Sequence, residues 1–386
     1  MSTDPLDAAL AAAGLAGATP GETVGGGGFV VPGPAGDDNQ DEAAAPARWA
    51  EGAATGVGSL PGSDPREAAS TVVGELPLLP HLPELPARGV GADMIGRTAG
   101  LLVDLAVEVV PTGYRVAARP GRDHRRAVDL LRGDLDAFDE ACEPARPGWV
   151  KVQAAGPWTL AAAVELHSGH RVLTDPGAVR EFTASLLEGL RAHAAEVAAR
   201  TGAQVLVQLD EPTLPAVLGG TLPTASGYGT VPAVGRVEAQ DALRDLVSAL
   251  GVPVVVHCCA DRPPVRLLAG IGAAGVGIDA TLPVFRGESA LPAALDVLGE
   301  TWDAGTPLLL GLVPGRDPAT RPDLRAVARP AFELADRLGF DRSRLGALAV
   351  PTPTCGLAGA TPDWARRAMA LVRDLGQAFV DPPEEW

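Results

Sequence analysis

The residues with the clearest chemical potential sit at the ends of hydrophobic runs. Val254-Val255-Val256 leads straight into His257-Cys258-Cys259. A valine run of this kind, opened here by Gly251-Val252-Pro253, reads as a buried strand of a parallel sheet. Side chains alternate faces along a strand, so His257 and Cys259 point to one side and Cys258 to the other. An imidazole and a thiolate on one face are two zinc ligands at workable spacing. Two more donors end runs of their own. Gly275-Val276-Gly277-Ile278 stops at Asp279, and the run from Leu348 to Thr354 stops at Cys355. His257, Cys259, Asp279 and Cys355 are therefore expected to hold a Zn2+ ion. Each has a plainer reading when taken singly. Cysteine is often only a small buried hydrophobe, and a histidine at a strand end is more often structural.

Carboxylates end another run. Ala203-Gln204-Val205-Leu206-Val207-Gln208-Leu209 leads to Asp210-Glu211-Pro212. Alternation places Asp210 on the face of Leu206 and Gln208. The plain reading of the Asp-Glu pair is a loop salt bridge.

These residues need elements to bring them together. Thr55 to Gly62 reads as a short strand and a tight loop, and Asp64 then caps a helix with Pro65 in its first turn. Further strands are expected at Ala106–Pro111, Val150–Pro157, Ala203–Asp210, Val254–Cys259, Gly275–Asp279, Pro307–Val313 and Leu348–Thr354. Helical patterns fill the intervals, at 93–104, 124–142, a long one after Asp175-Pro176, 238–250, 263–273, 289–300, 321–338 and 363–379. On the long helix, His193 shares the apolar face of Phe182, Leu186, Leu190 and Val197 and reads as a packed histidine. Eight strand-helix units make the fold class α/β, a single (β/α)8 barrel of the TIM type over residues 51–386. The polar residues cluster at strand C-terminal ends, where such barrels carry their chemistry. An open doubly wound sheet is the alternative, but no G-x-G-x-x-G follows the first strand. Residues 1–50 are rich in Gly, Ala and acid and are expected to form a flexible arm.

Bulk composition excludes several roles. The 386 residues carry a formal charge of −17, and an acidic chain lacks the basic footprint that nucleic-acid phosphates require. Lys151 is the one lysine, so nearly all positive charge is arginine. No apolar stretch is long enough to span a membrane, and Met1-Ser2-Thr3-Asp4-Pro5 has no basic region of a signal peptide. Four cysteines in this length do not make a disulfide framework, which points to a reducing cytoplasm with thiols free for metal.

The ordered set resembles the catalytic C-terminal barrel of the cobalamin-independent methionine synthase family. That family has an Ile-Gly-Ser turn, an Asp-Glu-Pro at a strand end, a His-x-Cys strand, an acidic zinc ligand and a late Cys-Gly-Leu. Here they stand as Val57-Gly58-Ser59, Asp210-Glu211-Pro212, His257-Cys258-Cys259, Asp279 and Cys355-Gly356-Leu357. Gly156-Pro157-Trp158-Thr159-Leu160 is similar to the stretch that lies by the folate. The resemblance covers residues 54–379. It implies Zn2+ on His257, Cys259, Asp279 and Cys355, and the turn at Val57, Gly58 and Ser59 around a substrate carboxylate. It also implies Asp210 against the substrate ammonium, and Trp158 beside the substrates.

This chain departs from the pattern in four places. The acidic zinc ligand is Asp279 rather than Glu. Val313-Pro314-Gly315-Arg316-Asp317 lacks the histidine thought to supply an acid, leaving Glu211, Asp93 or water for that role. Position 90 is Val where the family has a second substrate carboxylate, leaving Asp93 or Glu84. The N-terminal barrel of the full-length enzymes has no counterpart here.

The resemblance thus implies a zinc-dependent S-methyltransferase acting on homocysteine. Its donor would be 5-methyltetrahydrofolate or a methylcobamide-type compound, with a methyl-carrier protein as a candidate partner. Two other classes stay open. One is a binding barrel with a structural zinc. The other is a metal-free enzyme like uroporphyrinogen decarboxylase, which would need a basic pocket that the scattered Arg88, Arg97, Arg115 and Arg262 do not outline.

Overall fold

The computed structural model describes residues 48–224 and 227–382. The arm expected over residues 1–50 lies outside them up to residue 47. Of its last three residues, Arg48 and Ala50 are exposed but Trp49 joins the core. Trp49 is buried, with its ring edge-on to Trp149 at 6.4 Å between centroids.

Six strands pair in parallel and form the wall of the barrel. They are β3 (Trp149–Ala155), β5 (Gln204–Asp210), β6 (Val254–Cys258), β7 (Gly275–Asp279), β8 (Leu308–Val313) and β9 (Ala349–Pro353), in that spatial order. β3, β6, β8 and β9 are buried along their whole length, as parallel strands must be when helices cover one side and a filled interior the other.

Two irregular segments occupy the remaining gap. Residues 53–60 lie beside β9, where the Thr55 amide donates to Pro351. Residues 80–84 lie beside β3, through Lys151 to Pro80 and Leu82 to Lys151, both at 2.8 Å. The two segments meet where the Leu60 amide donates to Glu84 and the Glu84 amide to Gly58. Six strands and two segments thus take the eight places expected of the barrel.

The second place corrects the sequence expectation. Ala106–Val110 (β1) is a strand, but it pairs antiparallel with Gly113–Ala117 (β2), which in turn meets Val164–Glu165 (β4). This three-stranded sheet is separate from the barrel wall. Prolines at 77, 80, 83 and 86 explain why the true second segment escaped. Each proline removes an amide donor, so the segment holds single bridges rather than a ladder.

Helices cover the wall. They are α1 (Pro65–Glu75), α2 (Met94–Ala99), α3 (Arg122–Ala145), α4 (Pro157–Ala163), α5 (Pro176–Thr201), α6 (Leu214–Gly219), α7 (Arg236–Leu250), α8 (Val265–Ala269), α9 (Pro292–Asp303), α10 (Leu324–Leu338), α11 (Leu345–Leu348) and α12 (Pro362–Val380). Asp64 caps α1 through the Arg66 and Glu67 amides, and Asp175 caps α5 through Gly177 and Ala178, as the Asp-Pro pairs predict. His193 is buried on α5, and burial lowers its pKa to about 3, so it packs as a neutral ring. Among the described residues no helix is long and apolar enough to cross a membrane.

The barrel interior begins with an apolar floor. Trp49, Ala53, Leu79, Trp149, Leu206, Val255, Leu309 and Val350 form one buried cluster. Trp149, Leu206, Val255, Leu309 and Val350 take inward positions on their strands, so the inward positions that follow them lie one layer higher.

One close backbone approach seats residue 52 on α12. A Cβ on Gly376 of α12 would stand 2.2 Å from the Gly52 carbonyl oxygen. Alanine normally favours a helix interior over glycine by about 1 kcal/mol. Here overpacking against rigid backbone, typically about 1–3 kcal/mol, should win. Gly376→Ala is expected to lower the guanidinium unfolding midpoint, and an unchanged or raised midpoint would show that residue 52 is not seated on α12.

Candidate active site

Above the floor the inward positions turn polar. β3 contributes Lys151 and then Gln153, and β5 contributes Gln208 and then Asp210, all at period two. β6 contributes His257. Lys151 is wholly buried and Gln208 is 2 % exposed, while Asp210 and His257 reach 6 % and 7 %. Exposure therefore rises from the middle of the barrel toward its C-terminal mouth.

These side chains are joined by hydrogen bonds. Lys151 Nζ donates to Gln208 Oε1 at 2.7 Å and to the Val57 carbonyl at 3.3 Å. Gln208 Nε2 donates to the Val57 carbonyl and to Asp210 Oδ1, each at 2.8 Å. Asp210 Oδ1 also lies 2.8 Å from His257 Nδ1. Burial lowers the Lys151 pKa to about 8, against the opposing pull of the Asp210 and Glu84 charges.

On the neighbouring strand β7, Gly277 stands beside His257 and leaves room for the imidazole. Gly275, Gly277 and Gly311 occupy inward places on β7 and β8. A Cβ on Gly277 would come within 3.1 Å of the His257 ring, and one on Gly311 within 2.8 Å of the Thr354 backbone. The alternation of β7 is therefore written in absent side chains.

The thiols meet at the mouth. Cys259 Sγ and Cys355 Sγ are 3.4 Å apart, Cys259 partly and Cys355 well exposed. A proton held on Cys259 and shared with Cys355 keeps the Cys355 thiol below its ordinary range, and the His257 charge adds to this. Cys258 faces the other way and is fully buried, its pKa pushed up to about 12 by burial. It belongs to the outer core cluster, whereas its neighbour two back, Val256, and not Val255, shares that side. This is the alternation that the sequence predicts.

The turn at Val57, Gly58 and Ser59 lies against both groups. A Cβ on Gly58 would press within 3.0 Å of Gln153, and one on Gly356 within 2.1 Å of Ser59 Oγ. The Leu357 amide donates to the Ser59 carbonyl at 2.7 Å. The sequence motifs at 57–59 and 355–357 are thus neighbours in space.

Other expected residues have different surroundings. Asp279 is on the His257 side but its Oδ1 is engaged by the Thr281 amide and hydroxyl at 2.9 and 2.6 Å. Burial raises its pKa, while Thr281 and His257 oppose the rise. Asp93 is an N-cap: Oδ1 accepts from Ile95 and Gly96, and Oδ2 bonds the Tyr114 hydroxyl. Glu211 is fully buried, and its oxygens accept from the Trp158 amide, the Thr159 amide and the Thr159 hydroxyl at 2.7–2.9 Å. It anchors the first turn of α4. Trp158 is buried too, its indole donating to the Ala239 carbonyl.

Glu84, weighed with Asp93 from sequence, is the carboxyl that reaches this layer. It is 6 % exposed, and its strongest electrostatic neighbours are Arg97, Asp210, Gln153 and Lys151. Gln153 and Gln208 carried no motif signal beyond their place two residues before other inward positions.

The donor set suits a thiophilic ion. Two sulfurs bound to one tetrahedral zinc at about 2.3 Å stand roughly 3.8 Å apart, close to the spacing found here. Holding His257 Nδ1 on Asp210 leaves Nε2 as the free ring nitrogen. The four donors are not drawn together as a set: among the described residues no group of three or more His, Cys, Asp and Glu side chains is arranged to hold one ion.

Comparison with known proteins follows from this geometry. The family described as the catalytic domain of cobalamin-independent synthase matches residues 53–378. Among solved structures, the chain is similar to a B12-independent methionine synthase from Shewanella sp. W3-18-1 in complex with selenomethionine. The identity is 13%, covering 86% of this chain and 98% of that one, with a TM-score of 0.53. It is also similar to a methyltransferase from Methanosarcina mazei, at 17% identity over 84% and 93% of the two chains, with a TM-score of 0.50. At such identities the likeness is one of fold. No curated protein matches the sequence.

Glu84 gives the site a pH signature. Burial first, and the Asp210 charge after it, raise its pKa from 4.5 to about 7. The folded state then binds a proton that the unfolded state has released, so this group's contribution falls as pH rises from about 4.5 through 7. Glu84→Gln should remove that dependence. Unfolding free energies of the two proteins should differ between pH 4.5 and 8 by an amount on the order of 3 kcal/mol. Parallel stability curves would show that Glu84 ionises normally.

Proposed function

The chain belongs to the family of cobalamin-independent synthase catalytic domains, and from that premise we propose that it is a zinc-dependent methyltransferase converting homocysteine to methionine. One observation carries the reading: two thiols from distant strands stand 3.4 Å apart beside a histidine whose Nδ1 is fixed on a carboxylate.

His257, Cys259 and Cys355 would hold the ion, with Asp279 as fourth donor through the oxygen that Thr281 does not engage. Zinc bound there would stabilise the acceptor thiol as the thiolate, the reactive form at neutral pH. The chain's own residues orient the amino-acid end. The turn at Val57, Gly58 and Ser59 offers backbone amides to the substrate carboxylate. Asp210 Oδ2 faces the ammonium, because Oδ1 is already taken by Gln208 and His257. Glu84 is the second carboxyl of that pocket, a role that Asp93 cannot share while both its oxygens cap α2 and bond Tyr114.

The same accounting bears on the donor. A tertiary amine must be protonated to leave, whereas a methylcobamide-type donor releases its methyl group without that proton. Glu211 and Asp93, two of the three candidate acids, are engaged in helix caps, which leaves Glu84 or water as the acid for 5-methyltetrahydrofolate and makes the methylcobamide-type donor, which needs none, the simpler match. A methyl-carrier protein is then a fitting partner. Turnover assays with each donor decide the point, and activity with the folate alone would reverse the preference.

The metal assignment rests on strand alternation. Cys259→Ala is expected to lose most of its zinc and all thiol methylation while staying folded, since the floor and outer core do not involve it. Cys258→Ala should keep one zinc per chain and lose about 1–3 kcal/mol of stability as a small core deletion. Elemental analysis separates the two, and zinc retained by both variants would end the metalloenzyme reading. X-ray absorption at the zinc edge should also gain a sulfur neighbour when homocysteine is added, as a purely structural zinc would not.

Asp210→Asn tests the amino-acid pocket. Losing one charge-assisted contact of about 1.5–3 kcal/mol should weaken homocysteine binding roughly ten- to a hundredfold in calorimetry. Unchanged affinity would place the ammonium elsewhere.

A further inference from the structure

The loop that lacks the family's histidine carries an arginine, and the reaction proposed above gives it no task. Pro314-Gly315-Arg316-Asp317 follows β8, at the C-terminal mouth of the barrel. It lies against the loop that carries Cys355. The Gly315 amide donates to Thr354 Oγ1 at 3.2 Å. A Cβ on Gly315 would stand 3.2 Å from the Gly356 carbonyl oxygen and 3.4 Å from that of Cys355. Gly356 in turn packs on Ser59, where its Cβ would meet Oγ. Cys355 and Gly356 thus stand between the substrate turn at 57–59 and the loop of Arg316.

The neighbours of Arg316 in the chain are fastened. The Pro314 carbonyl accepts from the Trp364 indole at 2.9 Å. Both oxygens of Asp317 are taken by Thr361, through its amide at 2.7 Å and its hydroxyl at 2.6 Å, and Thr361 caps α12. Asp317 is therefore turned to the helix rather than to the arginine beside it. Arg316 itself is exposed, with its side chain along Gly359: Nε lies 3.4 Å from the place a Cβ on that glycine would take. Among the described residues no carboxylate forms an ion pair with it. A lone exposed arginine is commonly only a solvated charge. This one has a fixed base, a position beside the Cys355 loop and no partner, on a chain of formal charge −17. A guanidinium presents a planar fork that matches carboxylate and phosphate oxygens, and a pinned base reduces the ordering cost of using it.

The methyl acceptor leaves nothing for this cation to bind. Its carboxylate and ammonium are already assigned to the turn at 57–59, Asp210 and Glu84. Both donor classes, in contrast, carry an anion away from the methyl group. In 5-methyltetrahydrofolate it is the glutamate carboxylates, and in a methylcobamide with its nucleotide arm it is a phosphodiester. We propose that Arg316 is a donor-binding residue, whose guanidinium takes the anionic tail of the methyl donor at the rim of the mouth. The identity of the ligand rests on the reading under Proposed function, whereas the charge pairing is measured by binding alone.

The test uses the full chain supplied with zinc and two pairs of probes, titrated by calorimetry. One pair is methylcobalamin and methylcobinamide, which lacks the phosphodiester. The other is 5-methyltetrahydrofolate and its dimethyl ester, which lacks the glutamate charges. The wild type should bind the anionic member of one pair roughly ten- to a hundredfold more tightly than its counterpart, as one charge-assisted contact provides. Arg316→Met should erase that difference and leave the affinity for the counterpart unchanged. Arg316→Lys, which keeps the charge without the fork, should restore part of it. The pair that shows the difference identifies the anion as phosphodiester or carboxylate. A difference that survives in Arg316→Met overturns the proposal. So does a wild type that binds neither pair or discriminates within neither. Homocysteine affinity should be the same in Arg316→Met as in the wild type, and its loss would place Arg316 in the acceptor pocket and overturn the assignment. If the wild type discriminates but forms no methionine with either donor, the methyltransferase reading falls while the charge pairing stands.

Discussion

A closed barrel denies its interior the usual partner of polar groups, which is water. Side chains on the inward half of each strand must therefore satisfy one another. In this protein that constraint sets the site. An apolar floor fills the N-terminal end, and the next layers contain an ammonium, two amides, two carboxyls and an imidazole from neighbouring elements. Lys151, Gln208, Asp210 and His257 each have a donor or acceptor opposite them along one line. The geometry at the mouth is consequently supported from beneath, by Lys151 and Gln208.

The two irregular segments are the complement of this order. Residues 53–60 and 80–84 hold their places by single backbone bonds rather than by ladders. A regular strand would direct its carbonyls sideways to neighbours. Here the Val57 carbonyl is instead available to Lys151 and Gln208. Irregularity at the first two places of the wall thus gives the polar interior an acceptor that regular pairing would have used up, and it brings Ser59 against the loop that carries Cys355.

Much of this was legible in the chain itself, for reasons that differ by residue. The period of two in a strand separates Cys259 from Cys258 without any structure, and the burial of the two cysteines follows it. Runs rich in Val, Leu and Ala located all six ladder strands. The segment at 80–84 was invisible because its prolines erase the strand pattern, and Ala106–Val110 offered a better pattern in the wrong sheet. Motif reading also favoured exposed chemistry for Glu211 and Trp158, whose polar atoms are consumed by α4 and by Ala239. A carboxylate that reaches a Gly-Pro helix start from the end of another strand is a cap that only tertiary structure reveals. Lys151 stood out solely as a count of one, and its meaning required the barrel around it.

That count has a practical side. Amine-directed reagents and lysine acylation need an exposed ε-amino group, and in the folded barrel the only one is wholly buried. The side-chain surface is therefore blank to such chemistry, leaving the α-amino group as the other amine. A second acylation on one chain would mark an opening of the barrel itself, so that the lysine serves as a built-in, single-site recorder of how often this interior meets solvent.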